Sequence, residues 1–545
     1  MNLIDLYRNE SENTGATILF MAMISGVANA AILGIINSAV SVASYDTLNF
    51  RYLMLYFVAF LIFVLGIRYS LTRTTAIMEN IIKKVRLRIT DKLRQSDLLF
   101  LENIGNAEIY TRITQDTNLI SQSAAVVIKA AQSIIMLVFC ILYIAWLSKL
   151  AFVITVIFIG IGISVFMVHR KITIGLLQET TVKESRFFEM LNTSLDGFKE
   201  LKVNQKRNDA FFSDIKAVAD DAEDIKIQTG LRFIIGILFS EVCFYMLIAS
   251  IVFLLPRMGV EYSAILIRLV TAILFIMGPL DLIVSAIPIF TRSNVAVNNL
   301  YELEEKIDKA TRDGSGTTPF ARERFSTIEF ENVLFQYTDA NGHALFTVGP
   351  VNLTIRQGEI LFVIGGNGSG KSTFLKLLTG LYYPVSGRIR LDGQEVNQAN
   401  YQTFRELFSI IFTDFHLFDK LYGLDMVDTE KVAALLSVMK LDKKTTFKDG
   451  AFSNIHLSTG QRKRLAMVVA LLFDSEIFVF DEWAADQDPD FRKYYYNVLL
   501  QELKKRGKTV IAVSHDDRYF DTADRVMKMD YGQFNGAFEE TKGGV

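Results

Sequence analysis

Ile360-Leu-Phe-Val-Ile-Gly-Gly-Asn-Gly-Ser-Gly-Lys-Ser-Thr373 is the stretch that decides the fold. Ile360–Ile364 reads as a buried strand, and Thr373–Gly380 continues as a helical run. Between them Gly365, Gly366, Asn367, Gly368, Ser369, Gly370, Lys371, Ser372 and Thr373 fit G-x-x-x-x-G-K-[ST]. The strand–loop–helix setting is what gives that pattern meaning. Glycines let backbone wrap closely around phosphate, and successive N–H groups with a helix N-terminus bind the anion. Lys371 is placed to reach the β- and γ-phosphates, and the Ser372 hydroxyl to bind Mg²⁺. These features imply an α/β nucleotide-binding domain that takes a nucleoside triphosphate and Mg²⁺.

Three later segments suit the same site. Ile477-Phe-Val-Phe-Asp481-Glu482 is a buried strand ending in two acids. An Asp leaving a strand beside a phosphate loop suits Mg²⁺, and Glu482 next to it can polarise a water. Ser514-His515 comes directly after the strand Thr509–Val513, so a polar pair points to the ligand crevice. Leu457-Ser-Thr-Gly-Gln461 opens the helix Arg462–Leu472. Ser458, Thr459, Gly460 and Gln461 there are either a second anion-binding helix start or an ordinary N-cap. Upstream, Ser326–Tyr337 alternates as a strand.

Before Phe290 the composition changes. The chain has 545 residues, 51% of them hydrophobic, and the apolar excess lies almost wholly in the first half. About 20 apolar residues span a bilayer as a helix. Six runs are that long: Thr17–Val42, Tyr52–Leu71, Ala124–Leu147, Leu150–His169, Gly230–Leu255 and Tyr262–Phe290. The connections alternate short and long. The long ones, Thr72–Ser123 and Arg170–Thr229, hold basic clusters such as Lys83, Lys84, Arg86 and Arg88. That bias places both termini and both long loops in the cytoplasm. Helical spacing in Ile81–Leu93 and Glu179–Ile225 extends the membrane helices outward, with tips expected at Asn106–Asp116 and Ser194–Lys202. Lys129, Glu241, Arg268 and Asp281 fall inside the runs, at a cost of about 2.5–3.5 kcal/mol each at a bilayer centre. They line a polar path, form interhelical ion pairs, or reach the interface.

The first residues lack the basic and short apolar regions of a cleaved signal, so the first run is expected to remain an anchor. Net charge is −2, which gives no global pull toward nucleic acid. Cys140 and Cys243 sit in apolar runs and read as buried thiols, without disulfide or zinc spacing. The expected organisation is a six-helix membrane domain over 1–291, a polar linker over 292–325 containing Gly314–Pro319, and a nucleotide-binding domain over 326–545.

The ordered set of phosphate loop, Leu457–Gln461, strand-Asp481-Glu482 and strand-Ser514-His515 resembles the ATP-binding cassette (ABC) family, and the six-helix half resembles its type IV exporters. The resemblance spans essentially the whole chain. It implies that cassettes pair head to tail, so that Ser458–Gln461 of one chain meets ATP held by the phosphate loop of the other. It also implies adenine stacking on Tyr337, a catalytic base at Glu482, a γ-phosphate switch at His515 and a dimer, most simply a homodimer. Phe346–Ile355, Asp481–Pro489 and Ser514–Phe520 are similar to the cyclic-peptide and pyoverdine-type exporters, YojI-like microcin exporters among them. A peptide-type cargo and a bacterial inner membrane are what that resemblance implies; a lipid or multidrug exporter, or an ATP-gated regulator, are the alternatives. Two positions depart from the family pattern. The usual exporter glutamine falls on Thr413, leaving Thr413 or Asp414 as a shorter substitute at Mg²⁺. Ala485-Asp-Gln-Asp488 stands where Ser-Ala-Leu-Asp is common, and puts two extra polar groups at the expected dimer seam.

Overall fold

The computed structural model describes residues 3–10, 15–42, 49–259, 261–311, 320, 325–339, 342–424 and 426–537. The chain divides into two units: Met1–Asp91 with Asn106–Glu305, and Lys92–Gly105 with Lys306–Val545.

The first unit is helical. Its helices are α1 (Leu3–Glu10), α2 (Gly15–Val42), α3 (Phe50–Arg94), and, after the short α4 (Leu98–Ile104) of the second unit, α5 (Asn106–Thr111) and α6 (Thr117–Leu147). Next come α7 (Lys149–Asp196), α8 (Phe198–Val203), α9 (Gln205–Ala249) and α10 (Glu261–Ala310). Among the described residues five segments are long and apolar enough to cross a membrane: Ala16–Val40, Phe50–Arg94, Glu108–Leu147, Gln205–Met258 and Ile265–Ala310. Lys149–Val165, opening the long α7, adds a shorter apolar stretch at the expected fourth run. Phe57, Val58, Leu61 and Leu65 of α3 are exposed, as on a helix solvated by hydrocarbon.

With lipid outside, helices associate through close packing and polar contacts. α2, α3 and α6 do both. A Cβ on Gly66 would stand 3.0 Å from that of Ser25, and one on Gly26 3.1 Å from Ile135. Ser25 Oγ donates to the Phe63 carbonyl (3.0 Å) and accepts from Gln132 Nε2 (2.8 Å). Leu33, Cys140, Ile144, Phe244, Leu247, Leu269 and Ile273 form a common core from α2, α6, α9 and α10.

Several expectations change here. The first tip lies earlier than Asn106–Asp116: α3 stops at Arg94, α4 occupies Leu98–Ile104, and Gly105 closes α4 at φ 76°, ψ 150°, a positive-φ conformation that glycine adopts readily. Residues 106–116 are already a helix and a π-turn. The second tip is where it was expected, at Gly197 and α8. The polar stretch after Arg292 is helical to Ala310, because Ala296, Val297, Leu300, Leu303 and Ile307 keep one apolar, buried face. Gly314–Pro319 lies outside the described residues. Of the four ionisable residues in the runs, Lys129 and Asp281 are exposed and Glu241 and Arg268 half-buried; among the described residues no ion pair joins any two of them. Cys140 is buried, Cys243 partly so, and both are free thiols.

The second unit carries twelve strands among its described residues: β1 (Thr327–Thr338), β2 (Ala344–Arg356), β3 (Ile360–Ile364), β4 (Ser386–Leu391), β5 (Gln394–Glu395), β6 (Phe408–Ile411), β7 (Phe447–Lys448), β8 (Ala451–Phe452), β9 (Ile477–Asp481), β10 (Thr509–Val513), β11 (Arg525–Asp530) and β12 (Gln533–Ala537). Its helices include α11 (Lys371–Leu378), α12 (Tyr401–Arg405), α13 (Thr429–Val438) and α14 (Thr459–Phe473). An antiparallel sheet has the order β2-β1-β4-β5, and a larger one β12-β11-β3-β10-β9-β6. β3, β6, β9, β10 and β11 run parallel in the larger sheet. One face packs Leu361, Val479 and Ile511 with Phe374 and Leu375. The other packs Phe362, Phe480 and Val510 with Leu465 and Met467. Burial on both faces is why these strands read as unbroken apolar runs instead of alternating.

Candidate functional site

Parallel pairing brings the functional segments to one edge. Val513 pairs with Val363 on one side and Asp481 on the other, and Ile411 pairs with Phe480. The carboxyl ends of β3, β10, β9 and β6 therefore open together, and the loops that leave them share a crevice.

The loop after β3 needs its glycines. A Cβ on Gly365 would meet the Met529 carbonyl at 2.2 Å. Gly370 caps α11 at φ 101°, with Phe346 and Val348 packed against it. Lys371 is buried, and its ammonium donates to the carbonyls of Gly365 (3.0 Å) and Gly366 (2.9 Å). The cation is thus held within the loop that its own backbone forms.

Asp481 is 1% exposed, and among the described residues neither carboxylate oxygen makes a well-formed hydrogen bond, the Ser372 hydroxyl standing beside it. Burial pushes its carboxyl above the ordinary value; the Ser372 hydroxyl pulls it back, Glu482 raises it, and Lys371 and Lys463 lower it. A buried acid beside a serine hydroxyl fits a hard divalent cation that takes its remaining ligands from phosphate and water. Among the described residues no cluster of three or more His, Cys, Asp or Glu forms a self-contained metal site. Thr413 and Asp414 come after β6 at the same edge; both are exposed and neither makes a hydrogen bond among the described residues.

Glu482 adopts φ 49°, ψ 36°, turning its side chain out of the strand. Its Oε1 stands 2.8 Å from His515 Nε2. Ser514 Oγ, at the base of that histidine, is 2.8 Å from Tyr496 OH. Tyr337 lies half-buried, its hydroxyl 3.5 Å from Thr373 Oγ1 and bonded to Tyr382 OH at 3.0 Å. Lys371, Ser372, Thr373, Asp481, Glu482, His515 and Tyr337 are thereby gathered around one phosphate loop.

Ser458–Gln461 is elsewhere. Ser458 takes the N-cap position of α14, and Gln461 Oε1 accepts from the Ser458 N–H at 3.3 Å. Among the described residues no hydrogen bond or ion pair links this loop to Gly365–Thr373.

The residue that sequence reasoning missed is Lys463. It is 3% exposed, pairs with Asp486 (2.6 Å) and donates to the Glu482 carbonyl (2.8 Å). Trp483 Nε1 donates to the Lys463 carbonyl at 2.9 Å. Gln487 donates to the Gly460 carbonyl (3.2 Å) and accepts from Arg464 (2.8 Å), which also pairs with Asp488. Asp486 and Gln487, the extra polar groups of the 485–488 segment, are thus engaged with their own α14. They tie the Ser458–Gln461 loop to the turn that presents Glu482. A lysine inside a mostly apolar helix face was the available signal, since a buried cation needs a partner.

Comparisons with known proteins agree with this geometry. Residues 348–485 match the family described as ABC transporter, and residues 16–280 the ABC transporter transmembrane region. The chain is similar to ATP-binding protein SyrD of Pseudomonas syringae pv. syringae, 31% identical over 94% of this chain and 92% of the relative. It is 24% identical to the subtilin transport ATP-binding protein SpaT of Bacillus subtilis, over 87% of this chain and 80% of that one. An ATP-dependent lipid A-core flippase of Paraburkholderia xenovorans (strain LB400) matches at 23% over 84% and 78%. A solved bacterial Atm1-family ABC exporter with ATP bound shares the fold, with a TM-score of 0.76, 17% identity and coverage of 96% and 93%. The phosphate loop, the apolar spans and a relative matched along nearly its whole length lead to one conclusion: the chain belongs to the ABC transporter family, as a multi-pass membrane protein with an ATP-binding domain.

Proposed function

We propose that this chain is half of an ATP-driven exporter of peptide-type cargo that works as a homodimer. The placement of Ser458–Gln461 carries the dimer. This loop is built as a helix start, yet among the described residues it makes no hydrogen bond or ion pair with the phosphate loop of its own chain. A second copy arranged head to tail supplies what each site lacks. The bacterial inner membrane is its place, with the basic long loops, both termini and the cassette on the cytoplasmic side. Domain limits of 1–291, 292–325 and 326–545 serve this reading, with the helical part of the linker continuing α10.

In the chemistry, Gly365–Thr373 wraps the phosphates, Lys371 turns from its loop carbonyls to the β- and γ-oxygens, and the Tyr337 ring stacks on adenine. Ser372 and Asp481 would hold Mg²⁺, which when bound would neutralise charge developing on the phosphates. Glu482 orients and deprotonates the attacking water. His515, anchored on Glu482, contacts the γ-phosphate and reports its loss. Thr413 or Asp414, both exposed at the rim, would substitute with a shorter reach for the usual glutamine at the metal. Closure of two such sites between two chains favours one membrane conformation, and hydrolysis releases it. Switching a population from 1:99 to 99:1 takes about 5.5 kcal/mol of preference.

A peptide-type cargo is supported by the similarity to SyrD over nearly the whole chain and to a relative named for subtilin transport. Uptake into inverted membrane vesicles tests it, with cyclic peptides, peptide siderophores and labelled lipids offered in parallel. ATP-dependent accumulation of a peptide is the expected result. Accumulation of lipid alone would replace the cargo class, and accumulation without ATP would overturn the scheme.

A further inference from the structure

α4 is far in sequence from every nucleotide-binding motif, but it belongs to the same compact unit as the cassette. Leu98 and Leu99 pack on the core of β1, β2 and α11. Glu102, on the next turn, faces polar groups of the cassette. Its Oε1 accepts from Lys376 Nζ at 2.7 Å, and its Oε2 from Tyr382 OH. Lys376 also donates to Tyr382 OH at 3.3 Å. Lys376 lies on α11, the helix that the phosphate loop opens.

Tyr382 is 1% exposed. Its ring stacks on Phe335 at 4.7 Å and 12°. Its hydroxyl has exchanged water for Glu102 on one side and Tyr337 OH on the other (3.0 Å). Burial, then the bonds to Glu102 and Tyr337, hold the phenol far above its ordinary pKa, so it stays a neutral donor. Tyr337 OH in turn approaches Thr373 Oγ1, the last residue of the phosphate loop. The Tyr337 ring sits edge-on to Phe335 (5.1 Å) and to Tyr382 (5.9 Å), so its plane is set by both neighbours. With Lys376 as a third, longer contact, the buried hydroxyl donates to Glu102 and accepts from Tyr337, and releasing either weakens the set that holds the other.

We infer that Glu102 is a positioning residue for nucleotide binding, acting through Tyr382 on Tyr337. It ties the adenine end of the site to α4, in the connection between α3 and α6 of the same chain. The inference rests on the proposed stacking of adenine on Tyr337. It gives the chain a nucleotide-sensing contact that does not pass through Thr413, where the exporter glutamine is missing. Linkage makes the contact reciprocal: a change that displaces Glu102 weakens ATP, and ATP strengthens the hold on Glu102 by the same factor.

The test is basal ATPase against ATP concentration for the full-length protein in lipid discs. Tyr337→Ala, Tyr382→Phe, Glu102→Gln and the double variant Glu102→Gln/Tyr382→Phe are compared. Tyr382→Phe removes one hydroxyl and keeps the ring, and Glu102 is partly exposed, so thermal melting without nucleotide should hold for the Glu102 variant. Tyr382→Phe and Glu102→Gln should each raise KM for ATP by about three- to tenfold, the net weight of one ordinary hydrogen bond, with kcat within about twofold. The double variant should match the larger single effect, not the product of the two. Unchanged KM in both singles, or multiplying effects in the double, would overturn the relay while Tyr337→Ala still raises KM. Unchanged KM in Tyr337→Ala would instead remove the adenine-stacking assignment and the relay with it.

Discussion

The phosphate-facing ends of β3, β9 and β10 and the loop after β6 leave the same sheet edge, yet they are built differently. At the first, Lys371, Asp481 and Ser514 are buried, and strand register dictates which faces which. At the second, Thr413 and Asp414 are exposed and make no hydrogen bond among the described residues. Positions fixed by register suit chemistry, which needs groups held within a fraction of an ångström. An exposed loop with short side chains holds nothing in place by itself. Contacts with distant segments lie elsewhere: Lys463 and Gln487 tie the Ser458 loop to the turn at Glu482, and Glu102 reaches Tyr337 through Tyr382.

That contrast can be broken at either end. Lys371→Ala should have the largest effect, lowering kcat/KM for ATP by about 10²–10³ or more, as loss of one preorganised charge donor does. Near wild-type turnover in that variant would remove the buried edge from the chemistry. Lys463→Met should come next. It strips the Glu482 carbonyl and Asp486 of their cation. We expect kcat to fall by about 10- to 100-fold with KM nearly unchanged, a loss of about 1.5–3 kcal/mol for hydrogen bonds to a charged group. Lys463→Arg should recover part of it. A rise in KM alone would mean that Lys463 serves binding and not the presentation of Glu482. Thr413→Ala should matter least, changing steady-state ATPase by less than about twofold, as exposed substitutions do. A loss as large as that of Lys463→Met would show that the exposed loop carries the site after all.

Much of this architecture is legible in the sequence. Ile360–Ile364 and Thr509–Val513 are strands at the expected residues, and the strand read over Ile477–Glu482 ends one residue earlier, at Asp481. They are legible because burial on both faces writes a local, continuous apolar run. The membrane helices are legible for a related reason, through the length of apolar chain that hydrocarbon demands. The misplaced first tip shows the limit. Gly105 breaks the chain by backbone conformation, while helical spacing continues on both sides of it. The continuation of α10 to Ala310 is hidden because its exposed face is polar and charged like a linker. Glu102 and Tyr382 leave no pattern to find. They lie 280 residues apart, and only the folded sheet and the placement of α4 bring them together. The nucleotide-binding residues come from short motifs after strands; the residues that hold them come from distant segments with no motif.

The central claim is that the edge where β9 and β10 end hydrolyses ATP through Glu482, held by His515 at 2.8 Å. Steady-state ATPase and ATP affinity of full-length Glu482→Gln in lipid discs test it most directly. The side chain keeps its size and loses its basicity. ATP should bind within a few-fold of wild type, and hydrolysis should fall by about 10²–10⁴, the contribution of a positioned general base. Undiminished hydrolysis in Glu482→Gln would contradict the account.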